Sequence, residues 1–271
     1  WYRKAAEQGN ADAQYNLGFT YANGLGVPQD DVQAVTWYRA AAKQGNALAQ
    51  FGLGFMYANG RGLKQDDALA LRWYREAAER GHAAAQYNLG SAYATGRRVA
   101  RDDAVAITWI RKAAIQGYAD AQIHLAGAYA GGRGVTQDDA EAVLWYRMAA
   151  EQRDADSQNN LGVSYASGRG VKQDDTEAAA WYRKAAEQGH VAAQNNLGVM
   201  YASGRGVQQD DAEAVTWYQA AVKQGHVAAH NNLGVMYAHG RGLPQDDIEA
   251  VRCYLVAAQQ GHADGQNNLG V

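Results

Sequence analysis

His226 and His230 stand four residues apart, a spacing that puts two imidazoles on one face of a helix, as zinc sites do. An Asp–Asp step recurs every 36 residues from Asp30–Asp31 to Asp246–Asp247, the kind of anionic pair that attracts cations. A row of arginines (Arg61, Arg97, Arg133, Arg169, Arg205, Arg241) offers the opposite charge, an edge for anionic ligands. Each pattern also has a structural account. No acidic or cysteine partner is regularly placed with the histidines. The first Asp of each step sits where a helix N-cap is wanted. The arginines recur as regularly as the aspartates, so mutual pairing explains both rows. No metal and no cofactor is expected. Catalytic signatures are missing: no G-x-S-x-G, S-x-x-K, H-E-x-x-H or G-x-x-x-x-G-K-[ST] occurs. The G-R-G-V turns differ from phosphate loops, because they lack a third Gly and a Lys and follow a helix.

The elements that carry these residues are set by one period. Trp occupies positions 1, 37, 73, 109, 145, 181 and 217, in steps of 36, and Cys253 stands where the next is due. Self-similarity of this length marks a stacked repeat array, whose function lies on the surface that the stack creates. The expected organisation is a single array over 1–271. It comprises a partial second helix at 1–10, full repeats at 11–46, 47–82, 83–118, 119–154, 155–190, 191–226 and 227–262, and a partial first helix at 263–271. The chain begins and ends in mid-repeat without an initiator Met, so it reads as a fragment and allows no statement on a signal peptide. Net charge is −3 with both signs spread through every repeat, which gives no basic block for nucleic acid and no cationic helix for a membrane surface. The apolar runs are too short to span a bilayer. A lone Cys253 excludes an internal disulfide framework.

Each repeat holds two helical patterns separated by glycine turns. Ala13, Leu17 and Tyr21 fall four apart on one face, and Ala34, Trp37, Tyr38, Ala41 and Ala42 form a second stripe. Gly24 and Gly26 stop the first helix. Asp30 is the expected N-cap of the second, with Gln33, and later Glu141, Glu177, Glu213 and Glu249, at capping-box spacing. Gly45 closes the second helix and Asn46 opens the next. Gly18, Gly54, Gly90, Gly162, Gly198 and Gly234 lie inside the first helix, where each costs about 1 kcal/mol relative to Ala. Such a repeated cost predicts close approach of the neighbouring helix, with the Trp as the bulky partner. By that reading Cys253 loosens the last repeat, and a Trp there would stabilise it.

The set L-G-x-x-Y-x-x-G-x-G-V-x-x-D-x-x-x-A-x-x-W-Y-x-x-A-A-x-x-G resembles the Sel1-like repeat family, relatives of tetratricopeptide repeats, over the whole chain. The resemblance implies an all-α, right-handed α/α superhelical solenoid of antiparallel helix pairs, with first helices lining the concave side. It also implies a bacterial scaffold or adaptor that binds a protein or peptide without catalysis, and it favours periplasm or secretion over cytoplasm. Cysteine-rich members carry a disulfide in each repeat, and this chain lacks those cysteines. Other departures concentrate between residues 98 and 153: Arg98 and Arg153 replace turn glycines, Ala126 replaces the helix glycine and Ile110 replaces Tyr.

Residues constant in every repeat read as fold, and variable ones as candidates for specificity. On the first helices, away from Leu17 and Tyr21, the early repeats present Tyr15, Phe19, Phe51, Phe55 and Tyr87, which include every Phe in the chain. Later repeats present Asn159 with Asn160, Asn195 with Asn196, Asn231 with Asn232, and Asn267 with Asn268, backed by Val163, Val199 and Val235. By resemblance these positions face the concave groove. An aromatic half would anchor ligand side chains, and an Asn-lined half would pair with the amides of an extended peptide. The alternative is packing: Phe19 and Phe55 filling space between first helices, and the Asn pairs forming neutral surface. Two rival functions follow from relatives. One is β-lactam binding or hydrolysis, described for cysteine-rich Sel1-like proteins, which a nitrocefin assay decides. The other is RNA binding, which needs a positive groove. The expected partner is a protein or peptide, with no nucleic acid and no membrane insertion.

Overall fold

The chain alternates two kinds of helix start, and each is built by one side chain. In the computed structural model, which describes residues 2–270, the described residues form sixteen helices and no strand. They fall into two compact units, residues 1–137 and 138–271. The first holds α1 (Tyr2–Glu7), α2 (Ala11–Asn23), α3 (Asp31–Lys43), α4 (Ala47–Asn59), α5 (Asp67–Glu79), α6 (Ala83–Thr95), α7 (Asp103–Ile115) and α8 (Ala119–Gly131). The second holds α9 (Asp139–Glu151), α10 (Ala155–Ser167), α11 (Asp175–Glu187), α12 (Val191–Ser203), α13 (Asp211–Lys223), α14 (Val227–His239), α15 (Asp247–Gln259) and α16 (Ala263–Leu269). Trp1, the start of the tryptophan row, and Val271 lie outside the described residues.

From α3 onward, odd-numbered helices open on aspartate. The Asp30 carboxylate accepts from the Val32 and Gln33 amides at 3.0 and 2.9 Å, and the pattern holds through Asp246 except at Asp102, which accepts from the Val105 amide alone. The reciprocal half of the expected capping box is not used. The N–H of the cap itself donates to a first-helix carbonyl, Asp30 to Tyr21 at 3.0 Å and Asp210 to Tyr201 at 3.1 Å, so nothing is left for Glu213 to reach back to. Even-numbered helices open on Asn10, Asn46, His82, Asp154, His190, His226 and His262, each accepting an amide three residues on. Tyr118 alone supplies no side-chain cap.

Contacts between α2 and α3 run in opposite senses along the chain: Tyr21 meets Asp30, Gly18 meets Tyr38, and Gln14 meets Gln44. The pair is therefore antiparallel. The helix glycines allow this approach, but their partner is the Tyr and not the Trp. A Cβ on Gly18 would lie 2.7 Å from Tyr38 Cδ1, and one on Gly198 would lie 2.6 Å from Tyr218 Cε1. Tyr38, Tyr182 and Tyr218 are buried, whereas the tryptophans remain half-exposed. Two aromatics adjacent in sequence sit about 100° apart on the helix, and the second one faces the glycine. In the third repeat Ile110 takes this place against Gly90.

The interior is lined by Ala and one Leu per first helix, Leu53 and Leu89 in the first unit, Leu161 and Leu197 in the second. A buried polar ladder runs beside it. Gln14 donates to the Ala6 carbonyl while its own oxygen accepts from Gln44, 30 residues on, at 2.8 Å. Gln86 with Gln116, Gln158 with Gln188, and Gln194 with Gln224 repeat the arrangement.

Candidate functional site

In the first unit, Tyr15, Phe19, Phe51 and Phe55 line one cavity of about 270 Å³ together with Tyr38, Met56 and His82. The rings are fixed from behind by α3 and α5. Tyr15 stacks on Tyr38 with centroids 5.9 Å apart, and Phe51 lies 5.6 Å from Tyr74 and 4.4 Å from His82. Phe19 and Phe55 stand at the rim, 44% and 41% exposed. Tyr87 is not in this cavity. It sits one repeat further, against Tyr118 at 5.3 Å and His124 at 6.2 Å. Burial raises the pKa of the Tyr15 and Tyr38 hydroxyls and pushes that of Tyr74 up to about 12, so all three are neutral hydrogen-bonding groups. His82 escaped the sequence reading as a wall residue. Its Nδ1 accepts from the Ala85 amide at 3.2 Å, which needs an unprotonated ring, and burial holds its pKa below the usual histidine range.

In the second unit the asparagines are brought together pairwise across repeats. Asn196 Nδ2 donates to Asn159 Oδ1 at 3.2 Å, Asn232 to Asn195 at 2.9 Å, and Asn268 to Asn231 at 2.9 Å. Asn195 and Asn231 are buried. The oxygens of Asn196 and Asn232 remain open, and among the described residues Asn160 makes no side-chain bond. The register is 37 residues, one more than the period, which is why a column-by-column comparison of the repeats hides it.

Five of the six arginines pair with aspartates, as regularity suggested, and among the described residues Arg133 forms no ion pair. Arg61, Arg169, Arg205 and Arg241 hold Asp31, Asp139, Asp175 and Asp211 through Nε and Nη2, with Nη2 at 2.6–2.8 Å. The Arg hydrogen bonds keep the carboxyls of Asp31, Asp175 and Asp211 below the ordinary carboxylate range. Arg97 shares Asp67 with Arg98, and Asp103 is taken by Arg101 from its own turn. His230 Nδ1 donates to the His226 carbonyl at 3.1 Å rather than converging with His226 on a common point, and among the described residues no three His, Cys, Asp or Glu side chains cluster as ligands. Cys253 is buried, and burial raises its thiol pKa.

Antiparallel helix pairs of one 36-residue plan, capped alike and joined by the same glycine turns, define an α/α repeat protein of the tetratricopeptide kind. The Sel1 repeat model matches residues 1–10, 11–46, 47–82, 83–118, 119–154, 155–190, 191–226 and 227–262, and the chain belongs to the Sel1 repeat family. Its structure is similar to that of c5321, a protective antigen of uropathogenic Escherichia coli. That protein is 40% identical over 99% of this chain and 57% of its own, with a TM-score of 0.86. A Sel1 repeat protein from Oxalobacter formigenes is 37% identical over 99% of this chain and 78% of its own, with a TM-score of 0.68. The chain thus spans a little over half the length of the E. coli structure. No curated protein matches it. No helix among the described residues is long and apolar enough to cross a membrane.

Proposed function

We infer that this chain is a non-catalytic interaction scaffold whose first helices hold an extended peptide segment of a protein partner. Tyr15, Phe19, Phe51, Phe55 and Tyr87 act as the anchoring wall, and the open amides of Asn160, Asn196 and Asn232 act as weaker, polar contacts. The observation that carries this reading is the exposed pair Phe19 and Phe55 flanking one cavity, where Val occupies the same repeat position later in the chain. Buried aromatic anchors in pockets dominate peptide and protein recognition. A half-exposed aromatic pair has its apolar area still to bury.

The test is affinity capture from the native cell with three baits: the parent, Phe51→Ser with Phe55→Ser, and Ala at Asn160, Asn196 and Asn232. The aromatic variant loses the partner while its melting temperature moves by only a few degrees, and the asparagine variant keeps most of it. Retention of the same partner by an aromatic variant that melts far below the parent overturns the reading, since the rings were then structural.

A further inference from the structure

One turn departs from the others, and the departure builds a site. In the standard turn the Arg is followed by a glycine in the left-handed region whose Cα abuts the backbone of an aspartate in the preceding repeat. A Cβ on Gly62, Gly170, Gly206 or Gly242 would come within 1.9–2.2 Å of the carbonyl oxygen of Asp31, Asp139, Asp175 or Asp211. In the third repeat this residue is Arg98, at φ 64°. Its Cβ cannot occupy that seat, so the turn stands off from Asp67. The consequences are visible in the bonds. Arg97 touches Asp67 through one nitrogen at 3.2 Å, and Arg98 binds the same Oδ2 through Nη2 at 3.0 Å and Nε at 3.3 Å. A cavity of about 490 Å³ opens in front of the pair, floored by Leu71, Tyr74, Asn88 and Ser91.

Two guanidiniums against one carboxylate leave a net positive charge in this cavity. Oδ2 of Asp67 is saturated, and Arg97 Nε and Nη1 and Arg98 Nη1 have no acceptor among the described residues. Paired guanidinium N–H groups in a fixed plane match a carboxylate better than any neutral group. The cavity lies one repeat beyond the aromatic one: Ser91 is the counterpart of Phe55, and Asn88 that of Gly52. Neighbouring helices are about 10 Å apart, which three residues of extended chain span at about 3.3 Å each.

We propose that Arg97 and Arg98 form a carboxylate subsite that fixes an acidic group of the bound peptide three residues from its aromatic anchor. The proposal rests on the peptide-groove reading and names its polar end. The carboxylate comes from an Asp or Glu side chain or from a chain terminus, and the probes separate these. Three peptides are titrated against the protein while the arginine Nε–Hε signals are followed by NMR: acetyl-Phe-Gly-Gly-Glu-amide, its Gln counterpart, and acetyl-Phe-Gly-Gly-Gly with a free C-terminus. The Glu peptide or the free-terminus peptide is expected to bind about tenfold more tightly than the Gln peptide and to shift the Arg97 and Arg98 signals. Arg98→Gly restores the standard turn, melts no lower than the parent, and erases the preference. A preference that is absent in the parent, or that survives in Arg98→Gly, overturns the proposal. If all three peptides bind equally and lose affinity on Phe55→Ser, the carboxylate subsite fails while the groove stands. Failure of every peptide to bind at millimolar concentration also overturns the subsite, and the groove is then judged by partner capture.

Discussion

The two units put different chemistry on the same first-helix positions. In residues 1–137 those positions carry rings that lean on Tyr38, Tyr74 and His82 and still leave Phe19 and Phe55 open. In residues 138–271 they carry amides that bond to one another from repeat to repeat, as in Asn232 with Asn195. An amide finds both donor and acceptor in a second amide, so the ladder satisfies much of its own demand. A ring at the rim has no such recourse, and its apolar area stays exposed until something covers it. Val163 and Val199 stand about equally open at the positions of Phe19 and Phe55, so the contrast is one of size: a ring leaves more apolar area uncovered, and the first unit has more to offer a partner.

The sharpest way to test that the scaffold beneath is common to both units is to overfill it. Gly54→Ala places a Cβ 2.8 Å from Tyr74 Cδ1, and Gly198→Ala places one 2.6 Å from Tyr218 Cε1. Each tyrosine ring must move within a packed interior, at about 1–3 kcal/mol. Urea unfolding of the two variants should show comparable losses. Ala also recovers about 1 kcal/mol of helix propensity, so the net loss is about 0–2 kcal/mol, and a net gain of about 1 kcal/mol at either site would show that the packing there is slack.

Much of this was legible beforehand. Period, helix bounds, the Asp30 and Asn46 caps and the need for close approach at Gly18 all follow from residue types at fixed offsets. What stayed hidden depends on register between repeats. The buried place of Gln50 is not visible in the sequence, because only the fold shows that its counterparts are paired 30 positions away. The Tyr–Trp ambiguity has the same origin, since one helical stripe holds both rings and only the neighbour's position selects one. Arg98 was visible as an exception, but its effect needs the Gly62–Asp31 contact, which no pattern within a single repeat encodes.

Acid acts on both units next, since burial holds His82 and His124 of the first unit below the usual histidine range as well. Three first helices of the second unit open on His190, His226 and His262, while the first unit uses Asn10 and Asn46 beside His82. Burial first, and then the charges of His230, His190 and His262, hold His226 below its ordinary pKa. The unfolded chain then binds more protons than the folded one as pH falls below about 6.5, so stability is full above that value and declines beneath it. The aspartates held by arginines act in the same direction in a lower window, from about pH 4 downward. His226→Asn keeps the cap and removes the second unit's share of the upper window. Its urea midpoint should drop less than the parent's between about pH 7.5 and pH 5. An identical drop would assign the acid sensitivity elsewhere.

The ladder itself is measured by a double-mutant cycle on Asn195 and Asn232. Each Ala variant removes one end of the 2.9 Å bond, and a coupling of about 0.5–1.5 kcal/mol is expected. Phe19 and Phe55, which meet across a cavity rather than through a bond, should couple more weakly in stability and more strongly in partner affinity. The reverse pattern would undo the division of labour between the units.

The smallest effect lies in the first unit, at a place where the glutamine ladder is broken. Gln50 is 1% exposed, and its Oε1 has no hydrogen-bond partner. Its Nε2 turns instead toward Glu76 at 3.3 Å and the Ala42 carbonyl at 3.4 Å. The missing donor is explained by position 80: where Gln44, Gln116, Gln188 and Gln224 each reach back 30 residues to a buried glutamine oxygen, the second repeat has Arg80. A buried amide oxygen without a donor costs more than an exposed arginine contributes at a helix end. Arg80→Gln should therefore raise stability by about 1 kcal/mol, and the gain should vanish in a Gln50→Leu background, where there is no oxygen left to satisfy. A gain that persists there would trace to removal of the Arg80 charge, and the ladder would lose its claim to tie neighbouring repeats together.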